Sequence, residues 1–201
     1  MVKYSRLVEL LGEDVARRIK RLSPTLQEKV TEERIIGILE VFDEFDLNKK
    51  LFKTAPSIFA SALPDRMRSV IKTLDEVGID RSVLDDGGNL LIKGDSDNIK
   101  GIIQELEEQG IGTEILKTNG TILAYSSPNN IREIVKELEA QGIGTEILKT
   151  NGTILAQGNA RNIKQIIEVL REKKIGIEIL KTSGNILVLG NPKKIERITF
   201  D

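Results

Sequence analysis

Apolar residues recur along this chain with a period of 32 residues. The clearest copy is the segment QGIGTEILKTNGTILA, which occupies residues 109–124 and returns at residues 141–156. Extending this register in both directions defines six repeats, in which positions are numbered 1 to 32. The repeats begin at Asp14, Asp46, Gly78, Gly110, Gly142 and Lys174, and the sixth is cut short at Asp201. Positions 2, 6, 13 and 22 are apolar in every repeat, which predicts a protein built of stacked copies.

The second half of each repeat is predicted to be an amphipathic helix. Positions 22, 25, 26 and 29 are apolar, and this i, i+3, i+4, i+7 spacing places them on one helical face. In the fourth repeat these residues are Ile131, Ile134, Val135 and Leu138. Position 18 holds side chains that cap helix N-termini, namely Thr31, Asp95, Ser127, Asn159 and Asn191. Glycine at position 1 of the third, fourth and fifth repeats supplies a C-terminal stop.

The first half of each repeat admits two structures. Position 11 is proline in the first two repeats, at Pro24 and Pro56, and glycine in the other four. Proline and glycine just beyond a helix end are equivalent stop signals, which favours two short helices separated at this position. The alternative is an α/β repeat of β-hairpin plus helix across residues 78–201, because Asn119-Gly120 is a strong hairpin turn dipeptide. We favour the helices, since one unbroken register argues for one structure in every repeat.

The skeleton of the repeat, I..IL...P/G.IL...(cap)..I..(I/V)...L...G, resembles the repeat of the mitochondrial transcription termination factor (mTERF) family. The best-matching segment is KTAPSIFASALPDRMRSVIKTLDEVGI, from Lys53 to Ile79, and the resemblance covers nearly the whole chain. It implies three helices per repeat and an all-α superhelical solenoid with a concave basic groove for nucleic acid. Residues 1–13 then form a partial N-terminal cap repeat, and residues 14–201 form the six-repeat solenoid.

The N-terminal sequence MVKYSRLVELLGED carries acids and lacks a continuous apolar segment, so neither an organellar import sequence nor a secretory signal is expected. We therefore expect a prokaryotic or mobile-element relative of the mTERF family in the cytoplasm. No apolar run approaches the roughly 18 residues that span a bilayer, so no membrane partner is expected.

The composition restricts the chemistry of the chain. Cysteine and histidine are both absent, which excludes disulfides, Cys/His zinc sites and catalysis that uses either residue. The acidic, glycine-rich segment Asp85–Asn89 is too short for a calcium loop. We therefore expect a non-enzymatic protein with no cofactor and no metal.

Cations recur at two positions of the repeat and are the candidate nucleic-acid-binding residues. At position 8 they are Arg21, Lys53, Lys117, Lys149 and Lys181, with Asp85 interrupting the series. At position 23 they are Arg68, Lys100, Arg132 and Lys164, flanked by Ile36 and Glu196. One position per repeat becomes a continuous stripe in a solenoid, and a stripe of cations suits the phosphate backbone of DNA or RNA. The alternative for these residues is a solvated face without a ligand.

Two features of the charge pattern favour other interpretations. The net charge is −1, and the third repeat holds eight acids against three cations, so a nucleic acid along the whole chain would meet an acidic repeat. A protein–protein interaction scaffold is therefore the alternative function. Acids at positions 30 and 31, such as Asp43 and Asp75, are expected to pair with cations that open the next repeat, such as Lys49 and Arg81.

Overall fold

The computed structural model describes residues 2–85, 88–176, 179–182, 184–190 and 192–195. All regular secondary structure in these residues is helical, so the all-α prediction is confirmed for the described part of the chain. The chain divides into two compact bodies, an N-terminal body of residues 1–96 and a C-terminal body of residues 97–201.

Eight α-helices and one 3₁₀ helix are described in the N-terminal body. They are α1 (Tyr4–Leu11), α2 (Glu13–Ile19), α3 (Pro24–Glu28), α4 (Glu32–Glu44), α5 (Leu51–Thr54), α6 (Ile58–Ser61), α7 (Pro64–Glu76), the 3₁₀ helix Arg81–Asp85 and α8 (Asn89–Lys93). Short helices thus alternate with 13-residue helices, and α4 and α7 begin 32 residues apart. Helix α1, which lies in the predicted cap repeat, packs against α2.

The same order continues from residue 96 onward. The elements are α9 (Ser96–Glu108), the 3₁₀ helix Thr113–Lys117, α10 (Thr121–Tyr125), α11 (Pro128–Ala140), α12 (Glu146–Thr150), α13 (Thr153–Gln157), α14 (Ala160–Glu172), α15 (Ile179–Thr182), α16 (Ile186–Leu189) and α17 (Pro192–Ile195). Each of α9, α11 and α14 has 13 residues, and two short helices precede both α11 and α14.

The β-hairpin alternative for residues 78–201 is wrong in the described part of that range. A two-residue type I′ hairpin turn requires left-handed residues, whereas Gly120 and Gly152 have φ of −55° and −59°. Adjacent apolar residues such as Ile115 and Leu116 are both buried, which suits a helical turn rather than the alternating faces of a strand. Glycine at position 11 therefore separates two short helices, as proline does in the first two repeats.

The predicted apolar stripe of the long helices forms the core. In α11, Ile131, Ile134, Val135 and Leu138 are at most 1% exposed. Helix α11 packs against α14, its counterpart one repeat later, and α4 packs against α7 in the same way within the N-terminal body. The predicted caps Thr31, Ser127 and Asn159 accept hydrogen bonds from backbone amides three residues on, at 3.2, 3.2 and 2.9 Å.

Position 1 closes each long helix with a left-handed residue. Gly78, Gly110 and Gly142 have φ of 71°, 65° and 70°, as glycine easily adopts, but Asp46 and Lys174 hold the same conformation with φ of 50° and 56°. In all five cases the next residue donates its backbone N–H to the carbonyl five residues earlier, such as Ile143 N to Leu138 O at 2.8 Å. This Schellman arrangement fixes the exit of the chain from each helix.

Replacing Lys174 with glycine is expected to raise the free energy of unfolding by about 0.5–1 kcal/mol, because it removes the steric cost of a left-handed side chain. The matched substitution Gly142→Ala should lower it by a similar amount, since a Cβ there meets no atom within 4 Å and only the backbone conformation opposes it. Urea denaturation of both variants measures the effect. A destabilised Lys174→Gly variant would show that the lysine side chain makes a contact that outweighs the strain.

Candidate nucleic-acid interface

The position-8 cations are exposed but paired with acids. Lys117 and Lys149 each lie within reach of the glutamate three residues earlier, with Nζ–Oε distances of 2.6 Å to Glu114 and 2.9 Å to Glu146. Lys53 of α5 lies 3.4 Å from Asp14. The stripe in these repeats is therefore an alternation of positive and negative charge rather than a positive surface.

The two remaining position-8 residues are Arg21 and Lys181. Arg21 is exposed in the turn that follows α2. Lys181 lies in α15, and its side chain is outside the described part of the structure.

The position-23 cations lie on the long helices α7, α9, α11 and α14, but their surroundings differ. Arg68 of α7 donates from Nε to Glu44 at 2.7 Å and from Nη1 to Asp65 at 3.3 Å. The hydrogen bond to Glu44 raises the pKa of Arg68 above its usual value. Lys100 is exposed on α9. Arg68 is thus engaged by acids within the N-terminal body.

Helices α11 and α14 bring Arg132 and Lys164 onto neighbouring surfaces, because these two helices pack together. Lys136 extends the exposed face of α11 by one turn beyond Arg132, and Arg161 extends that of α14 by one turn before Lys164. These four residues form what we call the α11/α14 cation cluster. Within the described residues, Lys136, Arg161 and Lys164 make no ion pair or hydrogen bond through their side chains. Glu168, one turn after Lys164, ends the cluster on α14.

Lys136 and Arg161 were missed by reading one repeat position at a time. They lie at positions 27 and 20, which share the solvent face of the helix with position 23 because the spacings are four and three residues. The signal was present in the sequence as a polar stripe opposite the apolar one. Only the packing of α11 on α14 shows that both helices contribute to one surface.

Asparagine side chains tie consecutive repeats of the C-terminal body together. Asn98 Nδ2 donates to the carbonyl of Ser126 at 3.0 Å, and Asn130 Nδ2 donates to that of Gly158 at 3.2 Å, so position 21 binds position 17 of the next repeat. The residues just before α11 and α14 are thereby attached to the preceding long helix. The cation cluster therefore lies on a surface held by repeated hydrogen bonds.

Two of the acids at position 30, Asp43 and Asp75, pair as expected with cations that open the next repeat, whereas Glu44 at position 31 pairs with Arg68. Asp43 lies 2.5 Å from Lys49, and Asp75 accepts two hydrogen bonds from Arg81 at 2.9 and 2.7 Å. The bonds from Arg81 hold the pKa of Asp75 below its usual value. These carboxylates are solvent-exposed ion-pair partners within the N-terminal body, which gives them a structural role.

Other chemistry is sparse in the described residues. They contain no group of three or more acidic side chains arranged to hold a metal ion. No helix among them is both long and apolar enough to cross a membrane. Tyr125 of α10 is 43% exposed and is the only aromatic residue described in the C-terminal body. Asp86 and Gly87 of the acidic segment lie outside the described residues.

Comparison of the chain with models of known protein families finds no match, and comparisons with curated proteins and with solved structures find none either.

Proposed function

We propose that this protein is a non-enzymatic, cytoplasmic nucleic-acid-binding repeat protein, an mTERF-like superhelical solenoid that binds the phosphate backbone of DNA or RNA. The observation that carries the proposal is the α11/α14 cation cluster, in which Lys136, Arg161 and Lys164 are exposed and have no acidic partner among the described residues. Free cations on a rigid surface can exchange condensed counterions for phosphates, which supplies most of the affinity of backbone binding.

The spacing of the cluster supports this ligand. Equivalent residues on packed helices lie about 8–10 Å apart, which matches roughly three base pairs of duplex rise. Arg132 and Lys164 are such a pair on α11 and α14. The position-8 stripe is a weaker candidate, because a lysine already paired with a glutamate must lose that partner before it gains a phosphate.

The cluster favours backbone contacts over the reading of bases. Its side chains are cations on helix surfaces, and Tyr125, on α10, is the only described aromatic residue of this body. Single-stranded binders usually stack bases on several aromatic rings, so the surface suits a duplex better than a single strand. Phosphate contacts position a protein without selecting sequence, and binding is therefore expected to be largely independent of sequence.

A protein-interaction scaffold is the second candidate, and one observation favours it. The pairs Glu114–Lys117 and Glu146–Lys149 repeat the same alternation of charge at the same repeat positions. An alternating surface is complementary to a protein partner with the opposite alternation, whereas a uniformly anionic backbone would meet two repulsive glutamates.

The decisive experiment compares two triple variants that each remove three cations. Lys136→Gln/Arg161→Gln/Lys164→Gln neutralises the unpaired residues, and Lys53→Gln/Lys117→Gln/Lys149→Gln neutralises the acid-paired lysines. Binding to a short DNA duplex and to an RNA duplex is measured by fluorescence anisotropy between 50 and 200 mM salt. Each phosphate contact contributes about −0.9 to the slope of log K against log salt on duplex DNA, so the first variant should flatten the slope by about two to three units.

The acid-paired variant is expected to change the slope by less than about one unit. Equal effects of the two variants would contradict a site confined to the α11/α14 cation cluster, because the position-8 lysines would then contribute as much. Absence of wild-type binding at low salt would overturn the proposal and favour the scaffold. Melting curves of both variants should match the wild type, because exposed charges usually alter stability by less than about 0.5 kcal/mol.

A further inference from the structure

Glu105 is the only ionisable side chain that is buried in the described part of the chain. It lies on α9, is 2% exposed, and occupies position 28 of its repeat. At the same position of other repeats, Val41, Thr73 and Val169 are buried without a charge. The repeat therefore folds readily without an acid at this position. Burying a carboxylate has a desolvation cost, and the packing of the repeat does not need a carboxylate here.

The carboxylate of Glu105 accepts hydrogen bonds from one arginine and one glutamine. Arg132 of α11 donates from Nε to Oε1 at 3.2 Å and from Nη2 to Oε2, in a side-on bidentate pair. Gln109 Nε2 also donates to Oε1, at 2.7 Å. This arrangement satisfies Glu105 and holds the guanidinium plane of Arg132 in one orientation.

The rest of the Arg132 guanidinium is available to a ligand. The side chain of Arg132 is 44% exposed, and its Nη1 makes no hydrogen bond within the described residues. One edge of the guanidinium thus lies against the buried carboxylate, and the other edge keeps two N–H donors. Arg132 belongs to the α11/α14 cation cluster, so these donors add to the unpaired cations of that surface.

The next repeat provides an internal comparison. Glu137 and Gln141 repeat the acid–glutamine pair one repeat later, with Gln141 Nε2 donating to Glu137 Oε1 at 2.8 Å. The cation at the arginine's position is now Lys164, and it makes no ion pair with a described residue. A lysine ammonium lacks the planar fork of arginine, and so the same acid does not hold it in place.

We propose that Glu105 is a positioning residue, which orients Arg132 so that its free edge binds a phosphate and makes Arg132 the anchor of the cluster. The inference rests on the proposed function, since it names how one residue of that site is prepared for its ligand. A guanidinium that is already fixed loses less side-chain freedom on binding than a mobile one, and this preorganisation strengthens binding. Arginine also matches phosphate geometry with two parallel donors.

The net charge of the surface and the positioning role of Glu105 predict opposite effects of one substitution, Glu105→Gln, on the affinity for DNA. Glu105→Gln removes a negative charge near a polyanion, so simple electrostatics predicts tighter binding. If Glu105 positions Arg132, the same substitution weakens binding to a DNA duplex by about three- to ten-fold, the range expected for immobilising one long side chain. The matched control is Glu139→Gln on the same C-terminal body, which removes an exposed acid of α11 and should leave binding unchanged or slightly tighter.

A double-mutant cycle with Arg132→Lys separates positioning from a merely structural role. Arg132→Lys keeps the charge and loses the fork, so it should weaken binding, and Glu105→Gln should then add no further loss. Glu105→Val introduces the residue that two other repeats have at position 28, namely Val41 and Val169. This variant should fold, and it should weaken binding as Glu105→Gln does. Melting curves establish that each variant is folded at the temperature of the binding measurement.

The outcomes distinguish this inference from the function on which it rests. Wild-type binding that is unchanged or tightened by Glu105→Gln would overturn the positioning role and leave the proposed function standing. An equal loss from Glu105→Gln in the wild-type and Arg132→Lys backgrounds would also overturn it, because the effect would not act through the arginine. A wild type that binds neither DNA nor RNA at low salt would overturn the proposed function itself.

Discussion

Replacing Ile134 with alanine is expected to lower the free energy of unfolding by about 2–5 kcal/mol. Ile134 is fully buried on α11, and α11 packs against α14 in the same body. The substitution removes three carbon atoms from a close-packed interior, and the surrounding helices relax only partly into the cavity. This loss of unfolding free energy is large for a single substitution, because the side chain of Ile134 lies in the core between two repeats.

The measurement is urea denaturation followed by far-UV circular dichroism, with Lys136→Ala as the control on the same helix. Lys136 is exposed and makes no ion pair with a described residue, so its substitution should change stability by less than about 0.5 kcal/mol. A loss below about 1 kcal/mol for Ile134→Ala would mean that this face of α11 is not the core face.

Replacing Gly152 with alanine is expected to cost about 1–3 kcal/mol, although the backbone there suits any residue. The φ of Gly152 is −59°, in the right-handed helical region. A Cβ at this position would lie 2.5 Å from Cγ and 2.6 Å from Nδ2 of Asn119, one repeat earlier. Asn119 Nδ2 in turn donates to Thr118 Oγ1 at 2.9 Å, so its side chain is held over the glycine.

The clash with Asn119 gives this prediction its test. In an Asn119→Ala background the cost of Gly152→Ala should fall to a fraction of its wild-type value, since residues in contact do not act additively. Gly144→Ala is the control, because a Cβ there meets no atom within 4 Å. Thermal or urea denaturation of the four combinations gives the coupling. Equal losses in both backgrounds would show that the asparagine is not what requires glycine.

The same contact explains why the hairpin interpretation of Asn119-Gly120 was wrong. Asparagine followed by glycine is a turn signal because both residues adopt the left-handed conformation easily, but Gly120 has a right-handed φ of −55° and Asn119 lies against Gly152 of the next repeat. Asn119 covers Gly152, and Asn151 covers Gly184 in the same manner, with a Cβ at residue 184 lying 2.7 Å from Asn151 Cγ. Asparagine at position 10 therefore packs against glycine at position 11 of the next repeat. This contact cannot be recognised from the sequence of one repeat alone.

A second contact between repeats involves the long helices, where a glycine of one repeat lies against a proline of the next. A Cβ at Gly37 would lie 2.8 Å from Pro64 Cγ, and one at Gly101 would lie 2.7 Å from Pro128 Cγ. In both cases glycine at position 24 meets proline at position 19 of the next repeat. The two residues are 27 apart in the chain, a separation that no helical or strand periodicity suggests.

The candidate interface was predicted only in part, for a reason that concerns charge rather than fold. A repeat position identifies side chains that lie in equivalent places, but it does not show which of them already have partners. Lys117 and Lys149 were predicted with Arg132 and Lys164, and the structure pairs both lysines with glutamates in the same short helices. Lys136 and Arg161 were not predicted, and they have no acidic partner among the described residues.

The sequence by itself determined the period, the helical faces, three of the helix caps and the buried apolar stripe of the long helices, because each depends on local spacing or on a single residue type. Five 13-residue helices begin at intervals of 32 residues, as the apolar stripe predicted. Only the tertiary structure decided that glycine at position 11 separates helices, which cations are paired, and that Glu105 is buried under Arg132. Those properties arise from side chains that meet across repeats, where steric contact and desolvation depend on distances in space rather than along the chain.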